Sequence, residues 1–250
     1  SGIPSDGEII VTARKRNERL QDVPAAITAI SATELQRYQT ATLTQIATRV
    51  PSLVIGTSSG PGGAALVLRG IGASGANPTL DQSVSTNIDG VQLSRGNSVN
   101  LGNYDIDRVE VLEGPQALFY GKNSIGGVIS LNSADPGPDF DWRFRSSYEF
   151  EGKGKNFEGM VSVPLTESLG IRLVGVYQDQ DGWFINRVDP TVAGATVASK
   201  TAPNQRSLFG RATIKYQDPA GNLKVNLKLA YSDTKTRGSG LASTFQYIDC

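Results

Sequence analysis

Two glycine-rich segments of this sequence have residue types that could cradle phosphate groups. The first, Gly70-Ile-Gly-Ala-Ser-Gly75, has the G-x-G-x-x-G spacing of a dinucleotide site, and Asp89 lies 19 residues beyond Gly70. Such a site needs a helix that begins at the glycines, and Pro78 with the polar residues 79–83 leaves no room for that helix. The second, Gly114 to Asn123, comes near the P-loop pattern, but six residues separate its glycines where four are required. We therefore expect neither segment to bind a nucleotide.

Composition excludes most other catalytic chemistry. The 250 residues contain no histidine and one cysteine, Cys250, which removes Ser-His-Asp catalysis, His-ligated metals and iron–sulfur clusters. The acid pairs Asp105/Asp107 and Glu110/Glu113 are interpreted as solvated or ion-paired strand residues. With 24 basic and 24 acidic residues the net charge is zero, which gives no reason to expect nucleic acid as a partner. The sequence thus predicts no enzyme, no metal and no cofactor.

Residues 1–22 are polar except for one β-prone island, which comprises Glu8, Ile9, Ile10, Val11, Thr12 and Ala13. Alone, this segment cannot bury enough apolar surface to fold, so we expect a flexible arm. Two interpretations stay open on the residues alone. The island could add as a strand to the sheet edge of another protein, or it could be the first strand of the domain that follows.

Residues 23–138 have the pattern of a compact α+β domain. Ser31-Ala-Thr-Glu34 and Thr42-Leu-Thr-Gln45 are capping boxes, which predict one short helix from Thr33 to Tyr38 and a second that stops before Pro51. Short apolar runs predict strands between glycine-rich loops, at Ser52–Ile55, Ala65–Arg69, Val84–Ile88, Val91–Leu93, Arg108–Leu112 and Gly127–Leu131. Asp89-Gly90 predicts a hairpin turn between two of them.

Residues 139–250 change to strict alternation of apolar and polar residues over about ten positions per segment. The clearest segments begin at Trp142, Leu208 and Leu223. Short turns at 164–170 and 218–222 contrast with a long loop at 181–206, as in strands that cross an outer membrane. The alternative is a soluble antiparallel sheet with one wet face. No stretch of 18 apolar residues occurs, which argues against a transmembrane helix, and the opening residues have no signal-peptide pattern, so we expect any such peptide to be removed already.

Several of these segments together resemble the TonB-dependent outer-membrane transporters. Glu8-Ile-Ile-Val-Thr-Ala13 looks like their TonB box, and Leu68-Arg-Gly-Ile-Gly72 and Ile88-Asp-Gly-Val91 are similar to motifs of their plug domain. The most specific match is the long segment from Ile106 to Ser130, which resembles the end of the plug. One departure is Glu113, where relatives often carry Arg or Lys.

The resemblance implies an α+β plug domain followed by the antiparallel transmembrane strands of a 22-stranded β-barrel. About 110 residues follow position 140, enough for some five strands, and five strands cannot close a barrel. We therefore expect the sequence to be an N-terminal portion of a longer chain.

The resemblance also implies partners and a location. It implies active uptake of a scarce nutrient, a siderophore, cobalamin, an oligosaccharide or a similar molecule, across the bacterial outer membrane. The arm would lie in the periplasm and engage TonB, which works with the inner-membrane ExbB/ExbD complex, and the strands would face outer-membrane lipid.

Two sets of plug residues are candidate sites under this hypothesis. The candidates for contact with barrel charges are Arg69, Arg108, Glu110 and Glu113, and those for substrate binding are Asn77, Arg95 and Asn97 in the glycine-rich loops. Their alternatives are ordinary wet-surface charges and loops that merely fill the pore. Competing hypotheses for the whole chain are a secreted or surface β-rich binding protein without transport, and a nucleotide-dependent enzyme.

Overall fold

The computed structural model describes residues 10–12, 18–23, 25–38, 42–56, 64–73, 81–93, 104–182, 184–185, 201–202 and 204–237. The chain divides into two compact units, Ser1–Ala134 and Asp135–Cys250. The division lies four residues before the predicted boundary at 138.

Sheets dominate the first unit. Its strands are β1 (Ile10–Val11), β2 (Glu18–Arg19), β3 (Ile27–Ser31), β4 (Leu53–Gly56), β5 (Ala65–Leu68), β6 (Ile71–Gly72), β7 (Val84–Ile88), β8 (Val91–Leu93), β9 (Ile106–Glu113) and β10 (Gly127–Ser133). The main sheet has the order β3-β9-β10-β7-β8, in which only the β10–β7 pair is parallel. A second sheet has the order β4-β5-β6, and β1 pairs with β2. The predicted strands are all found, with ends shifted by up to two residues.

The described residues of this unit also form three short α-helices, α1 (Ala32–Arg37), α2 (Leu43–Ala47) and α3 (Ala117–Tyr120), and a 3-10 turn at Leu20–Asp22. Both predicted capping boxes form. The Ser31 and Thr42 hydroxyls accept from the backbone N–H three residues on, and the backbone N–H groups of Ser31 and Thr42 donate to the side chains of Glu34 and Gln45. The Asp89-Gly90 turn is also confirmed, with φ of 49° and 87° at its two residues, as a two-residue hairpin requires.

One face of the main sheet packs on α1, α2 and the small sheet. The core there is fully apolar, with Leu43, Ile46, Leu66, Leu68 and Ile129 at 1% exposure or less. The opposite face carries a smaller apolar cluster of Val11, Val23, Leu112, Tyr120 and Val128. That second cluster includes a residue of the N-terminal arm.

The second unit contains a five-stranded antiparallel sheet and a two-residue pair. The sheet strands are β11 (Asp141–Glu149), β12 (Gly154–Pro164), β13 (Leu169–Gln180), β16 (Asn204–Gln217) and β17 (Lys224–Arg237), in that order; β14 (Phe184–Ile185) pairs with β15 (Thr201–Ala202). Short turns join β12 to β13 and β16 to β17, and the 180–204 connection is long, as predicted.

Registered rows across this sheet separate two faces. One row of directly opposite residues reads Val163, Ile171, Ile214 and Leu227, and the adjacent row reads Ser162, Arg172, Thr213 and Lys228. Since neighbouring residues of a strand point to opposite faces, one face is apolar and the other polar. The apolar face also carries exposed aromatic side chains, among them Trp142 and Phe144 at 66% and 63%.

Candidate functional site

The described part of the arm includes Val11, which packs on the face of the main sheet opposite to α1 and α2. Val11 is fully buried in the cluster with Leu112, Tyr120 and Val128. Its strand β1 is held at its edge by two residue pairs with β2, Ile10 opposite Arg19 and Val11 opposite Glu18. The expectation of a flexible arm therefore does not describe Ile10 to Thr12, which dock on the first unit because Val11 has an apolar pocket to enter.

A buried carboxylate holds the next residue. Thr12 donates its backbone N–H to both oxygens of Glu110 at 2.9 Å, and its hydroxyl donates at 3.0 Å to Oε1. Arg108 Nε donates to Glu110 Oε1 at 2.8 Å, and Asn132 Nδ2 donates to the same oxygen at 3.2 Å. Glu110 has no solvent-exposed side-chain surface, so these donors replace the water that its charge would otherwise need.

Tyr120 closes the other side of the docked segment, since its hydroxyl donates to the Thr12 carbonyl at 3.1 Å. Burial, and secondly the nearby negative charge of Glu110, raise the pKa of Tyr120 to about 12, while a hydrogen bond with Ser130 acts in the opposite direction. The phenol therefore stays protonated and remains a donor. Both backbone polar groups of Thr12 are thus hydrogen-bonded to side chains of the plug, the N–H to Glu110 on β9 and the carbonyl to Tyr120 on α3.

The remaining predicted charges also pair inside this unit. Arg69 forms an ion pair with Glu113, and Glu113 accepts from the Ser52 hydroxyl at 2.7 Å. Asp107 pairs with Arg108 at 2.9 Å, which confirms that this acid is ion-paired. The structure thus brings the four predicted charges together as two pairs, Arg108–Glu110 and Arg69–Glu113; whether they also contact a barrel stays a prediction.

Other predicted residues lie outside the described part of the chain. Of the island, Glu8, Ile9 and Ala13 fall there, and so do the candidate substrate residues Asn77, Arg95 and Asn97. Sequence reasoning missed Tyr120 and Asn132 as partners of the arm and of Glu110. No local signal could have found them, because Thr12 and Tyr120 are separated by 108 residues.

The nucleotide-like motifs have structural explanations. Ile71–Gly72 is a strand, and a Cβ added at Gly72 would lie 2.5 Å from the Leu66 carbonyl oxygen, so glycine is needed for close strand contact. Asp89 accepts from the backbone N–H and hydroxyl of Ser133 at 2.9 and 2.7 Å. Among the described residues, no three His, Cys, Asp or Glu side chains are grouped as metal ligands. None of the described helices is long and apolar enough to cross a membrane.

Comparisons with known proteins agree with this architecture. The family described as TonB-dependent Receptor Plug Domain matches residues 19–128. The chain is 30% identical to the Vitamin B12 transporter BtuB of Vibrio vulnificus, over 98% of this chain and 42% of that protein. The chain therefore spans about two fifths of the length of that relative.

Solved structures share the fold at lower identity. The ferric yersiniabactin uptake receptor FyuA from Yersinia pestis superposes with a TM-score of 0.68 at 21% identity, over 84% of this chain and 32% of that one. The pyoverdine outer membrane receptor FpvA from Pseudomonas aeruginosa superposes with a TM-score of 0.69 at 18% identity, over 92% of this chain and 31% of that one. From the plug match, the relative and the shared fold, residues 19–128 form a TonB-dependent receptor plug domain, and the antiparallel strands that follow have the fold found after the plug in such receptors.

Proposed function

We propose that the whole protein takes up a scarce nutrient across the bacterial outer membrane, using force that TonB transmits from the inner-membrane ExbB/ExbD complex. The plug closes the barrel, the arm lies in the periplasm, and the strands face outer-membrane lipid. The plug-domain match supports this proposal, as do the roles of the relatives, which are a vitamin B12 transporter and a ferric yersiniabactin uptake receptor.

The observation that carries the proposal is the docked strand at Val11 and Thr12. Strand addition to a partner's sheet needs free backbone donors and acceptors and accessible side chains. Here the Thr12 N–H is bonded to Glu110, the Thr12 carbonyl to Tyr120, and Val11 is buried. Docking on the plug and pairing with TonB would use the same groups, so the two states exclude each other, and TonB engages the island Glu8 to Ala13 only after it leaves the plug.

The charges on the plug belong to the same proposal. Arg69 keeps 55% of its side chain exposed while it pairs with Glu113, and Arg108 keeps 23%. Such partly exposed guanidinium groups have donors left over for further carboxylates. We assign Arg69, Arg108 and Glu113 to contacts with barrel charges, which would set how firmly the plug is held. The sequence makes Glu110 a candidate for the same role, but its side chain is fully buried, so it would act only through its ion pair with Arg108.

The proposed substrate is a small molecule or metal chelate, of the siderophore, cobalamin or oligosaccharide kind. Asn77, Arg95 and Asn97 belong to loops rich in Gly, Ser and Asn, whose amides and backbone groups offer hydrogen bonds with little bulk. Arg95 would meet an anionic group of the substrate.

The test of the proposed function is Ile10→Pro in the full-length protein. Proline removes a backbone donor and fixes φ, which prevents strand pairing at that position. We expect uptake to be lost while membrane insertion and equilibrium substrate binding persist. Ile10→Val, which keeps the β-propensity and the donor, serves as the matched control and should transport normally. Normal uptake by the proline variant would show that the island is not the coupling segment.

A further inference from the structure

The first residue of the second unit is clamped onto its sheet. The Asp135 carboxylate accepts from Lys215 Nζ at 2.9 Å, from Lys228 Nζ at 3.2 Å and from Asn226 Nδ2 at 3.2 Å. Lys215 lies on β16 directly opposite Asn226 on β17, and Lys228 follows two residues later on the same face. Both carboxylate oxygens are engaged, and the three donors come from two adjacent strands.

The clamp is ionic and partly shielded from water. The Asp135 side chain is 32% exposed. Burial acts to raise the pKa of Asp135, but the bond from Lys215 and the charges of Lys228 and Lys215 together outweigh it and lower the pKa below its ordinary value. Asp135 therefore carries its charge at neutral pH, and charge-assisted bonds of this kind are stronger than neutral ones.

The residues that follow stay on the same sheet. Pro136-Gly137-Pro138 is stiff because both prolines fix φ. The Gly137 N–H donates to the Ser162 hydroxyl on β12 at 3.2 Å. A Cβ added at Gly170, on β13, would lie 2.8 Å from Pro136 Cβ, so the segment runs close over that strand. Residues 135–138 thus contact four strands before β11 begins at Asp141.

We infer that Asp135 is a mechanical anchor, which stops tension on the plug side of the chain from reaching β11. The inference rests on the proposed function only for the origin of the tension. Without the clamp, a pull on the chain would load the Asp141 end of β11 and separate it from β12 one residue pair at a time. With the clamp, the pull loads several contacts on β16 and β17 together, and simultaneous rupture needs more force than sequential peeling. The anchor lets the plug be remodelled up to Ala134 while the barrel strand stays in place.

The experiment is single-molecule force spectroscopy on the full-length protein in a lipid bilayer, pulled by a handle attached before residue 10. In the wild type, we expect the total extension to equal the length of the chain between the handle and residue 134. Asp135→Asn keeps the shape and removes the charge. We expect it to release about 15 further residues, 135–149, which adds about 5 nm of extended chain. The Gly137 amide should also exchange at least tenfold faster in that variant without force.

Matched variants decide the interpretation. Asp139→Asn changes an exposed acid of the same segment, for which the described residues show no ion pair, and should behave as wild type. Lys215→Gln with Lys228→Gln should reproduce Asp135→Asn, and combining all three should add little, because they remove one interaction. If Asp135→Asn does not insert, Lys215→Gln alone gives the same test with a smaller loss of force.

The inference is wrong if Asp135→Asn traces end at the wild-type length and force, or if Asp139→Asn extends equally. The instrument supplies the force and TonB is absent. Loss of the anchor inference is therefore distinguishable from failure of the proposed function, which the Ile10→Pro uptake assay tests.

Discussion

Glu110 shows how a charge can be buried inside a small domain. Its carboxylate is fully shielded from solvent, yet the donors from Thr12, Arg108 and Asn132 satisfy its oxygens. Removing either the carboxylate or its donors costs more free energy than the intact network contributes to stability, since the groups left behind are buried without partners. Docking of the arm and burial of Glu110 therefore depend on each other.

Glu110→Gln should weaken arm docking. The amide replaces one acceptor oxygen by a donor group, which would face the donors of Thr12 and Arg108. A lost charge-assisted bond is worth about 1.5–3 kcal/mol, so the Thr12 amide should exchange at least tenfold faster in the full-length protein. Glu34→Gln, which preserves a capping-box residue on α1, is the control and should leave that amide unchanged. An unaltered Thr12 rate in Glu110→Gln would mean that Val11 alone holds the arm.

Tyr120 gives the arm site an alkaline pH dependence. Its pKa is raised from 10.0 to about 12 in the fold, so the unfolded chain ionises first as pH rises. The stabilisation from the neutral phenol, on the order of 2 kcal/mol, is complete below pH 10 and is lost as pH rises toward 12. Ultraviolet titration of tyrosinate, compared with Tyr120→Phe, should reveal this group. Glu110→Gln should lower its pKa because one cause of the shift is removed. If the tyrosine signal that disappears in Tyr120→Phe titrates at the ordinary pKa of 10.0, the assignment is wrong.

At the residue scale, sequence alone identified the charges but not their pairing. Arg108 and Glu110 alternate along β9, so their proximity is local. The contacts of Thr12 with Glu110 span 98 residues, and no spacing rule connects them. The same holds for Asp135, whose partners Lys215 and Asn226 lie 80 and 91 residues further along the chain, with Lys228 beyond them.

Short helices in the plug depend on their caps. Helix α2 has five residues, too few to be stable alone, and it presents Leu43 and Ile46 to the core at 0% exposure. Its capping box satisfies N-terminal donors that would otherwise lack partners. The signal for the start of both helices was local, so the sequence predicted both. The ends of α1 were predicted to within one residue, whereas α2 ends at Ala47, before the predicted end next to Pro51.

Thr42→Ala should destabilise α2 by about 1 kcal/mol, because the Gln45 N–H loses its acceptor. Native-state hydrogen exchange at Ile46, whose N–H donates to the Thr42 carbonyl, should accelerate about fivefold. Thr44→Ala, at an exposed position inside the same helix, removes a hydroxyl without touching the cap and should have little effect. Equal acceleration by both substitutions would show that the cap is not the cause.

The two faces of the sheet in the second unit predict different effects of arginine substitutions on folding in a bilayer. Leu227 is 46% exposed and continues the apolar row of Ile171 and Ile214. Leu227→Arg should cost about 2–4 kcal/mol of folding free energy in a bilayer if the row lies near the midplane. Ser232→Arg, on the polar face of the same strand, should be tolerated. Folding titrations of the full-length protein into lipid vesicles give both values. Equal damage would indicate a sheet buried on both faces.

Elements without a local pattern were not predictable. The strand Glu18–Arg19, the pair β14–β15 and the strand Ile71–Gly72 have no periodicity to detect, whereas β1 lies inside the β-prone island. Each is defined by its partner, and Ile71–Gly72 forms because the chain turns at Arg69 and Gly70, which have φ of 52° and 79°, and returns along β5. Period-2 alternation over about ten residues, in contrast, predicted three of the five long strands directly, namely β11, β16 and β17. Weaker alternation at Phe157–Val163 and Ile171–Tyr177 indicated β12 and β13.

At the scale of the whole molecule, the proposed function assigns force and recognition to different segments of the chain. The docked arm lies at the start of the chain, and the loops with Asn77, Arg95 and Asn97 lie between plug strands. The arm site is described by contacts, whereas the loop assignment rests on residue types and their place in the sequence. This separation predicts that changes in the loops alter substrate affinity without altering arm docking.

Arg95→Ala and Asn97→Ala test that assignment in the full-length protein with an intact arm. Loss of a bond to a charged group costs about 1.5–3 kcal/mol, so Arg95→Ala should weaken equilibrium binding of an anionic substrate at least tenfold. Asn97→Ala, which removes a neutral amide, should have a smaller effect of about 0.5–1.5 kcal/mol. The Thr12 amide should exchange at the wild-type rate in both variants, since the described contacts that hold Thr12 come from Glu110 and Tyr120. Ile10→Pro gives the reciprocal control, with affinity kept and uptake lost. If neither loop variant changes the affinity by even twofold, recognition belongs to the barrel, and the plug serves as the gate alone.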